Sequence, residues 1–551
     1  MTQQHVDYIQ QAQRWVAQDP DPATRVTLQT LLDRGDHEQL SQLFSGRLAF
    51  GTAGLRAEVG VGPLRMNQLV VAQTAAGLNR WLAERLDVPA SIVIGFDARL
   101  SSAGFAATAA SVFAAEGHQV IAYGSAIPTP LLAYAVQRER ADLGVMVTAS
   151  HNPATDNGFK VYLGGRLGTG AQLNTPDDEY IAEAILAAAE EVLQLPLPPV
   201  TTTDTTELID SYAHQLATKM ATPNGDLPFV YTAMHGVGYQ AFAAVLEKSV
   251  FTGLNPVPEQ VDPDGHFPTA PFPNPELPGA LDLAIALAAR TRVPLVVAHD
   301  PDADRCAVAF RDSDGNYRQL TGDEFGMLIA GWLVDTERAR AGDVFALSLV
   351  SHSALPALGK AHGITVNRTL TGFKWIAATA NLRYGYEEAI GYCLFPDIVR
   401  DKDGISAALA AVEIYHWLYE NERNVFDYLQ ELGDRYGHTD SAQRTIGLSG
   451  DSNPAALTTQ LVGAFTDLIG LPVTERLDLS SPATELPPTP GALAAAGDHT
   501  LGVRVIIRPS GTEPKLKIYL HAWGPSRGKT TGLLNALTDQ LSNIVATLGD
   551  T

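Results

Sequence analysis

The sequence has few cysteines and no long apolar run. Cys306 and Cys393 are its only cysteines, so a disulfide framework is excluded and a reducing compartment is favoured. No run approaches the roughly 18 apolar residues of a membrane span, and Met1–Arg14 has no apolar core of a signal peptide. We therefore expect a cytoplasmic protein with no membrane partner.

Positive charge is also scarce. The 551 residues carry a formal net charge of −23, which argues against nucleic acid and anionic membranes as partners. An anionic substrate would need local cations in its binding site to overcome the repulsion from this net negative charge. Apolar residues make up 45% of the chain, which is typical of a packed globular protein, and the length predicts about three or four domains.

Short apolar strands alternate with helical patterns along most of the chain. Examples are the predicted strands Ser91–Phe96, Leu143–Val147 and 295–298 and the predicted helix Pro130–Arg138. This alternation predicts α/β layers with parallel or mixed sheets. In such sheets functional loops collect at the carboxyl ends of strands.

One such strand end carries Thr148-Ala-Ser-His-Asn-Pro153. Ser150 follows the predicted strand, with His151 beside it as a base, and Asn157-Gly158 predicts a tight turn that returns Lys160 toward the hydroxyl. A serine with a base and a cation nearby is arranged as a covalent centre. The alternative is a capping serine.

A second strand end carries Asp300, Asp302 and Asp304. Three alternating carboxylates ionise together only when a cation neutralises them, and oxygen ligands favour a hard ion. The spacing lacks the later Glu of a calcium-binding loop, so Mg²⁺ is favoured. An acidic surface turn is the alternative.

A third such loop combines cations with hydrogen-bond donors. The loop predicts a phosphate cradle, because it offers a guanidinium that can bind two oxygens, a lysine ammonium and a nest of hydroxyl and backbone N–H groups. A plain turn is the alternative. Its residues are Arg508, Ser510, Gly511, Thr512 and Lys515.

Three weaker segments add candidates. Tyr386–Gly391 places adjacent carboxylates where they could accept sugar hydroxyls, Thr369–Trp375 offers Lys374 on a glycine turn, and Gly51–Arg56 is a glycine-rich loop that ends in an arginine. His235–Ala241 follows a predicted strand and matches a dinucleotide-binding fingerprint. A lone fingerprint is weak, so a nicotinamide dehydrogenase stays a minor alternative.

Together and in this order, the motifs resemble the α-D-phosphohexomutase superfamily of phosphoglucomutases and phosphomannomutases. The resemblance implies four domains around a central cleft, three of them similar mixed-sheet α/β domains and the last α+β. We expect a phosphoserine-bearing domain at 1–215, a metal-binding domain at 216–318, a sugar-recognition domain at 319–437 and a phosphate-binding domain at 438–551.

The resemblance also implies residue roles. Ser150 would carry a phosphoryl group, and Mg²⁺ would be held by Asp300, Asp302, Asp304 and an oxygen of the phosphoserine. Arg56 and Lys160 would flank the transferring phosphate, Lys160 or a neighbour would take part in proton transfer, and His151 is a further catalytic candidate. The expected substrate-binding residues are Arg305, Thr371, Gly372, Lys374, Glu387, Lys402, Arg508, Ser510, Gly511, Thr512 and Lys515.

The implied activity is a phosphoglucomutase that interconverts glucose 1-phosphate and glucose 6-phosphate, with glucose 1,6-bisphosphate as activator. The partner is a small phosphosugar, and the chain is expected to be a monomer or homodimer. One departure is Ala389, since the hexose-specific branch usually has serine there. The loop is closer to the branch with phosphopentomutases and glucose 1,6-bisphosphate synthases, so a phosphopentomutase or a phosphomannomutase stays an alternative.

Overall fold

A computed structural model describes residues 3–50, 54–220, 227–249, 251–352, 354–448, 453–481, 486–509 and 515–549. The chain forms two compact units. The first comprises Met1–Gln319 with Gly391–His416, and the second comprises Leu320–Ile390 with Trp417–Thr551. Within the described residues, no helix is long and apolar enough to cross a membrane.

The first unit begins with helices that lead into a mixed sheet. The sheet has the strand order β1-β5-β4-β2-β3-β7, with β6 paired to β5. The elements are α1 (Gln3–Gln18), α2 (Pro22–Arg34), α3 (His37–Leu43), β1 (Leu55–Glu58), α4 (Gln68–Ala83), β2 (Ser91–Phe96), α5 (Ser102–Ala115), β3 (Gln119–Tyr123), α6 (Thr129–Arg138), β4 (Leu143–Val147), β5 (Asp156–Leu163), β6 (Ala171–Gln172), α7 (Asp177–Ala189), β7 (Thr202–Thr203) and α8 (Thr206–Lys219).

A second sheet of the first unit has the order β12-β11-β10-β8-β9. Its central strands β8 and β10 are parallel and fully buried, as expected when both faces of a sheet are covered. The elements are β8 (Phe229–Thr232), α9 (Gly238–Lys248), β9 (Leu254–Pro256), α10 (Asp282–Thr291), β10 (Leu295–His299), β11 (Cys306–Arg311) and β12 (Tyr317–Gln319).

The second unit starts with a parallel set of strands in the order β14-β13-β15. Its first helix begins with a capping box, in which Thr321 and Glu324 each bond the other's backbone N–H. The elements of the second unit up to the next sheet are α11 (Gly322–Asp335), β13 (Val344–Ser348), α12 (Leu355–His362), β14 (Thr365–Thr369), α13 (Phe373–Ala377), β15 (Leu382–Glu387) and α15 (Val425–Tyr436). Between β15 and α15 the chain forms β16 (Gly391–Cys393), which belongs to the first unit, and α14 (Gly404–Glu420), which begins there.

The last part of the second unit is an antiparallel sheet in the order β17-β22-β21-β20-β19-β18. Apolar side chains of this sheet and of the two final helices form its core. The elements are β17 (His438–Gly447), α16 (Pro454–Ala464), β18 (Asp467–Leu468), β19 (Leu471–Asp478), β20 (Ala492–Gly497), β21 (Gly502–Pro509), β22 (Lys515–Gly524) and α17 (Arg527–Gly549).

The structure confirms the predicted α/β fold, with four sheets among the described residues, and corrects a local prediction. Asn157 and Gly158 do not form a turn, because both lie in β5 and pair with β1. A Cβ atom on Gly158 would lie 2.5 Å from the carbonyl oxygen of Leu55 and 2.6 Å from that of Thr148. Glycine is therefore needed for a close approach of backbones rather than for a turn, and β5 itself carries Lys160 to the site.

Candidate active site

Ser150 lies directly beyond the end of β4 and is held in an uncommon conformation. Its φ angle is +54°, in the left-handed region that disfavours residues with a side chain. The Thr148 hydroxyl oxygen accepts a hydrogen bond from the Ser150 backbone N–H at 2.9 Å. The Ser150 hydroxyl donates to Asp300 at 2.7 Å and lies 3.1 Å from Nδ1 of His151.

Arg99, which the sequence did not single out, binds the backbone of the loop that carries Ser150. Its buried guanidinium donates to four loop carbonyls at 2.6 to 2.9 Å and forms an ion pair with Asp97 at 3.2 Å. The four carbonyls belong to Ser150, Asn152, Pro153 and Asp156.

Asp97 extends this network to the base of the loop. The Asp97 oxygen of the ion pair, Oδ2, also accepts from the Thr148 hydroxyl at 2.7 Å, and Thr148 in turn holds the Ser150 backbone. We call the pair Arg99 and Asp97 the loop clamp. One signal could have revealed it, since Asp97-Ala-Arg99 follows β2 at the same sheet edge as Ser150.

Asp300, Asp302 and Asp304 converge after β10, as the sequence predicts. One oxygen from each lies within 4.8 Å of the others, and all three are buried. The Oδ1 atoms of Asp302 and Asp304 are buried with no hydrogen-bond partner among the described residues. Buried carboxylates with open oxygens fit a hard divalent cation, so this cluster could bind a metal.

Lys160 lies against the same cluster. Its Nζ donates to Asp302 at 2.6 Å and to Asp304 at 2.8 Å. Thr129 also fixes Asp302, because its hydroxyl donates to the same Oδ2 atom at 2.5 Å and its backbone N–H donates to the Asp302 carbonyl at 2.9 Å. The sequence did not single out Thr129.

Burial and charge distribute the protons unequally over the cluster. Burial, reinforced by Asp302 and Asp304, raises the pKa of Asp300 well above its ordinary value. Burial would also raise the pKa of Asp304, but Lys160, Lys402 and Arg305 outweigh it and hold that pKa far below its ordinary value. Proton binding by Asp300 is therefore more favourable than for an ordinary carboxyl group when no cation is bound.

The other basic candidates of the first unit surround this cluster. Burial lowers the pKa of His151 well below its ordinary value, with Arg305 and Arg56 adding to the effect, so the imidazole is neutral at physiological pH. Lys402 lies 3.4 Å from Asp304, and Arg305 forms an ion pair with Glu276 at 3.2 Å. Arg56 lies on β1, and burial lowers its pKa.

The glycines of the apparent dinucleotide fingerprint contact the acidic loop instead. A Cβ atom on Gly236 would lie 2.3 Å from the Pro301 carbonyl oxygen, and one on Gly238 would lie 2.8 Å from His299. The backbone N–H of Val237 donates to Pro301 at 2.8 Å. These glycines thus support the Asp300–Asp304 loop by close packing.

The remaining candidates belong to the second unit. Arg508 donates to the Thr371 hydroxyl, so the structure brings these two predicted residues together. Gly372 precedes α13, and Lys374 lies within α13 with its Nζ 5.4 Å from the Trp375 ring centroid, rather than on a turn. Glu387 ends β15 and is buried, and Lys515 begins β22. Ser510, Gly511 and Thr512 lie outside the described residues.

Family models match the chain in four consecutive stretches. Residues 47–192, 210–315 and 321–436 match the phosphoglucomutase/phosphomannomutase alpha/beta/alpha domains I, II and III. Residues 490–531 match the C-terminal domain of the same family.

Individual proteins are similar over most of their length. A "probable phosphomannomutase" from Haemophilus influenzae is 40% identical over 461 residues, which cover 83% of this chain and 93% of that protein. The phosphopentomutase of Homo sapiens is 33% identical over 573 residues, covering 94% and 91% respectively. In fold, the chain resembles the Paramecium phosphoglucomutase pp63/parafusin, with a TM-score of 0.70 at 20% identity over 91% of this chain and 96% of the other.

Proposed function

The chain belongs to the phosphoglucomutase/phosphomannomutase family, and we propose that it moves a phosphoryl group between the 1- and 6-positions of glucose phosphate. The reaction passes through a phosphoserine at Ser150 and a sugar bisphosphate. One observation carries the proposal. The Ser150 hydroxyl, on a loop held by the clamp, bonds a carboxylate of the acidic cluster.

The proposed chemistry is a phosphoryl transfer in two directions. A sugar hydroxyl attacks the phosphorus atom on Ser150, the bond from phosphorus to the Ser150 oxygen breaks, and that oxygen is left as an alkoxide or takes up a proton. The second half runs in reverse from the other phosphate of the bisphosphate. Glucose 1,6-bisphosphate would therefore charge a dephosphorylated enzyme.

Cations and a neutral base surround the transferring group in this proposal. Lys160 and Arg56 flank it and balance its charge. His151, uncharged at neutral pH, lies 3.1 Å from the Ser150 oxygen and can accept or return a proton there. The proton of the attacking sugar hydroxyl would pass to a basic group of the first unit, and Lys160, whose ammonium donates to two carboxylates, takes that proton only after it has given up one of its own.

Asp300, Asp302 and Asp304 would hold Mg²⁺ together with an oxygen of the phosphoserine. The bound ion would neutralise charge on the transferring phosphoryl group. Without it, the charge of Asp304 is offset by Lys160, Lys402 and Arg305. Mg²⁺ is expected to bind the phosphorylated enzyme more tightly than the unphosphorylated one, since the phosphoserine adds negative charge.

The non-reacting phosphate of the substrate is assigned to the second unit. Arg508, together with Ser510, Gly511, Thr512 and Lys515, supplies the cradle in this proposal. Thr371, Gly372 and Lys374 are assigned to substrate binding because Thr371 already bonds Arg508. Glu387, Arg305 and Lys402 complete the proposed substrate contacts, and the four domain ranges predicted from the sequence carry these roles.

A pentose phosphate is the second candidate substrate. Ala389 has no side-chain hydroxyl, whereas the hexose-specific branch usually has a serine at this position of the sugar loop. A protein named phosphopentomutase aligns with nearly the whole chain. Mannose phosphate is a third, given the relative named as a phosphomannomutase. A panel of glucose, mannose, ribose and deoxyribose phosphates, assayed with Mg²⁺ and a trace of sugar bisphosphate, ranks them by kcat/KM.

Ser150→Ala tests the shared chemistry. The variant is expected to lose turnover with every substrate because it has no group to carry the phosphoryl. Ser542→Ala, which changes an exposed serine of α17, is the matched control and is expected to keep full activity. Turnover by Ser150→Ala near that of the control would contradict the proposal.

A further inference from the structure

A cavity lies at the edge of the first sheet that is opposite to Ser150. The parallel strands β2, β3 and β4 begin beside this cavity, whereas Ser150 follows the carboxyl end of β4. The antiparallel strand β5 ends beside the cavity and continues into the glycine-rich loop 164–170. The cavity volume is about 630 Å³, which is in the usual range for a small-molecule site.

Among the described residues that line this cavity, the acidic one is Asp142, and its carboxylate is fully paired. Oδ1 accepts from the backbone N–H and from Nε of Arg166 at 2.9 Å and 3.0 Å. Oδ2 accepts from Nη2 of Arg166 at 2.6 Å and from the Ser91 backbone N–H at 2.9 Å. Asp142 therefore has its charge balanced by Arg166 and has no open oxygen to offer a cation.

Arg140 gives the cavity a second positive charge, and this one is not balanced by the protein. Its exposed guanidinium forms no hydrogen bond or ion pair with any described residue. Nη1 of Arg166 likewise donates to no described residue. Because two arginines face one paired aspartate, the cavity is locally positive in a chain whose net charge is −23. Such local positive charge favours an anionic ligand.

Uncharged donors of the same cavity wall are also open. The Thr169 hydroxyl, the Gln119 side-chain amide and the backbone N–H groups of Gly165 and Thr169 have no acceptor among the described residues. The wall therefore offers more hydrogen-bond donors than open acceptors. A phosphate group suits this wall, because its terminal oxygens accept several hydrogen bonds and match the fork of a guanidinium.

The glycine-rich loop is held in place before any ligand binds. The Gly168 backbone N–H donates to the Gly164 carbonyl at 3.0 Å. A Cβ atom on Gly165 would lie 2.7 Å from the Arg140 carbonyl oxygen. One on Gly168 would lie 2.6 Å from the carbonyl oxygen of Leu163. The loop thus packs directly against neighbouring backbone, and a fixed loop lowers the entropy cost of binding.

We propose that this cavity is a second ligand site, separate from the candidate active site, which binds the phosphate group of a small phosphate monoester. Arg140 and Nη1 of Arg166 bind the phosphate oxygens, and the open donors of the loop complete the contacts. The remaining volume holds the polar body of the ligand. We call Arg140, Arg166 and the loop 164–170 the edge site. The inference does not depend on the proposed mutase activity.

The test measures binding at the edge site itself. Hydrogen–deuterium exchange of the loop 164–170 is followed in the full chain as inorganic phosphate or glycerol phosphate is added at constant ionic strength, with glycerol as the uncharged control. Both anions should protect the loop with a dissociation constant of about 1 mM or tighter, and glycerol should not. Ser150→Ala should show the same protection, because Ser150 lies at the opposite edge of the sheet.

Variants of Arg140 test the residue that carries the unbalanced charge. Arg140→Gln is expected to raise the dissociation constant roughly 10- to 100-fold, as for the loss of a hydrogen bond from a charged group. Arg140→Lys should lose less, because it keeps the charge but not the planar fork. Arg292→Gln is the matched control. Arg292 is also exposed and lies just after a helix, with φ +57° against +51° for Arg140, but it does not line the cavity. This variant should bind within twofold of wild type.

Three outcomes would overturn the inference. One is the absence of loop protection at about 10 mM of either anion. Another is an equal effect of Arg140→Gln and Arg292→Gln on the dissociation constant, which would show that Arg140 makes no specific contact. The third is loss of the protection in Ser150→Ala, which would assign the binding to the active site. None of these results bears on the proposed mutase chemistry, which the turnover of Ser150→Ala tests.

Discussion

Replacing Arg99 with lysine tests whether the loop clamp sets the conformation of Ser150. The guanidinium makes four hydrogen bonds to loop carbonyls and one ion pair with Asp97. A lysine keeps the positive charge, so Asp97 is not left as an unpaired buried charge. However, its ammonium has three donors on one atom and lacks the planar fork.

The expected magnitude follows from the hydrogen bonds that a lysine cannot make. An ammonium with three donors cannot serve all five oxygen partners of Arg99, so at least two of these interactions disappear, each worth about 1.5–3 kcal/mol for a charged donor. The loop geometry that holds Ser150 at its positive φ would then be less stable by about 3–6 kcal/mol relative to competing conformations. At about 1.4 kcal/mol per factor of ten, we expect at least a 100-fold loss in the rate of Ser150 phosphorylation.

The assay measures phosphoserine formation directly. Enzyme is mixed with sugar bisphosphate and Mg²⁺, quenched at intervals and analysed by mass spectrometry, with thermal unfolding recorded in parallel. Because the clamp acts on the serine loop, kcat should fall far more than KM for the sugar phosphate rises.

Arg166→Lys is the matched control for Arg99→Lys. Arg166 also binds a buried aspartate, Asp142, through two nitrogens, but it makes no contact with the Ser150 loop among the described residues. Ser150 should be phosphorylated at the wild-type rate in Arg166→Lys. A rate for Arg99→Lys within threefold of wild type, or a loss fully accounted for by unfolded protein, would refute the role assigned to the clamp.

Two further predictions concern stability and metal binding. Burial raises the pKa of Asp323 to about 8, and the charge of Glu388 adds to this effect. Between about pH 4 and pH 8 the folded protein therefore keeps a proton on Asp323 that the unfolded chain has lost. The free energy of unfolding should fall as the pH rises through this range. Asp323→Asn should remove this pH dependence and gain roughly 6 kcal/mol at most near pH 8, as measured by denaturation at several pH values. An equal pH dependence in both proteins would contradict this prediction. Gly236→Ala forces a Cβ atom against the Pro301 backbone and should reduce the thermal stabilisation by Mg²⁺, whereas Gly104→Ala, with no atom closer than 3.9 Å, should not. Equal stabilisation of both variants would contradict the supporting role of Gly236.

The features that could be predicted from the sequence are local ones. The apolar run Leu143–Val147 forms β4 as predicted, so Ser150 lies at a strand end. The three aspartates converge because alternate positions in one tight loop stay close whatever the remainder of the chain does. Local residue spacing was therefore enough to predict the fold class and the acidic cluster.

The features that could not be predicted depend on contacts between distant segments. Arg99 reaches the Ser150 carbonyl from 51 residues away. Its position after β2 indicates the same sheet edge, but nothing near Arg99 in the sequence indicates which carbonyls it binds. Asn157-Gly158 has the composition of a turn, but pairing with β1 keeps it extended, since tertiary context overrides local preference.

The central claim is that Ser150 stores the phosphoryl group that the enzyme transfers. The most direct measurement incubates the protein with sugar bisphosphate labelled on its phosphates, in the presence of Mg²⁺, and then chases it with unlabelled sugar monophosphate. The account predicts label on Ser150 that passes to the sugar during the chase and is absent in Ser150→Ala. Label that stays on Ser150 during turnover, or turnover without any label on Ser150, would contradict it.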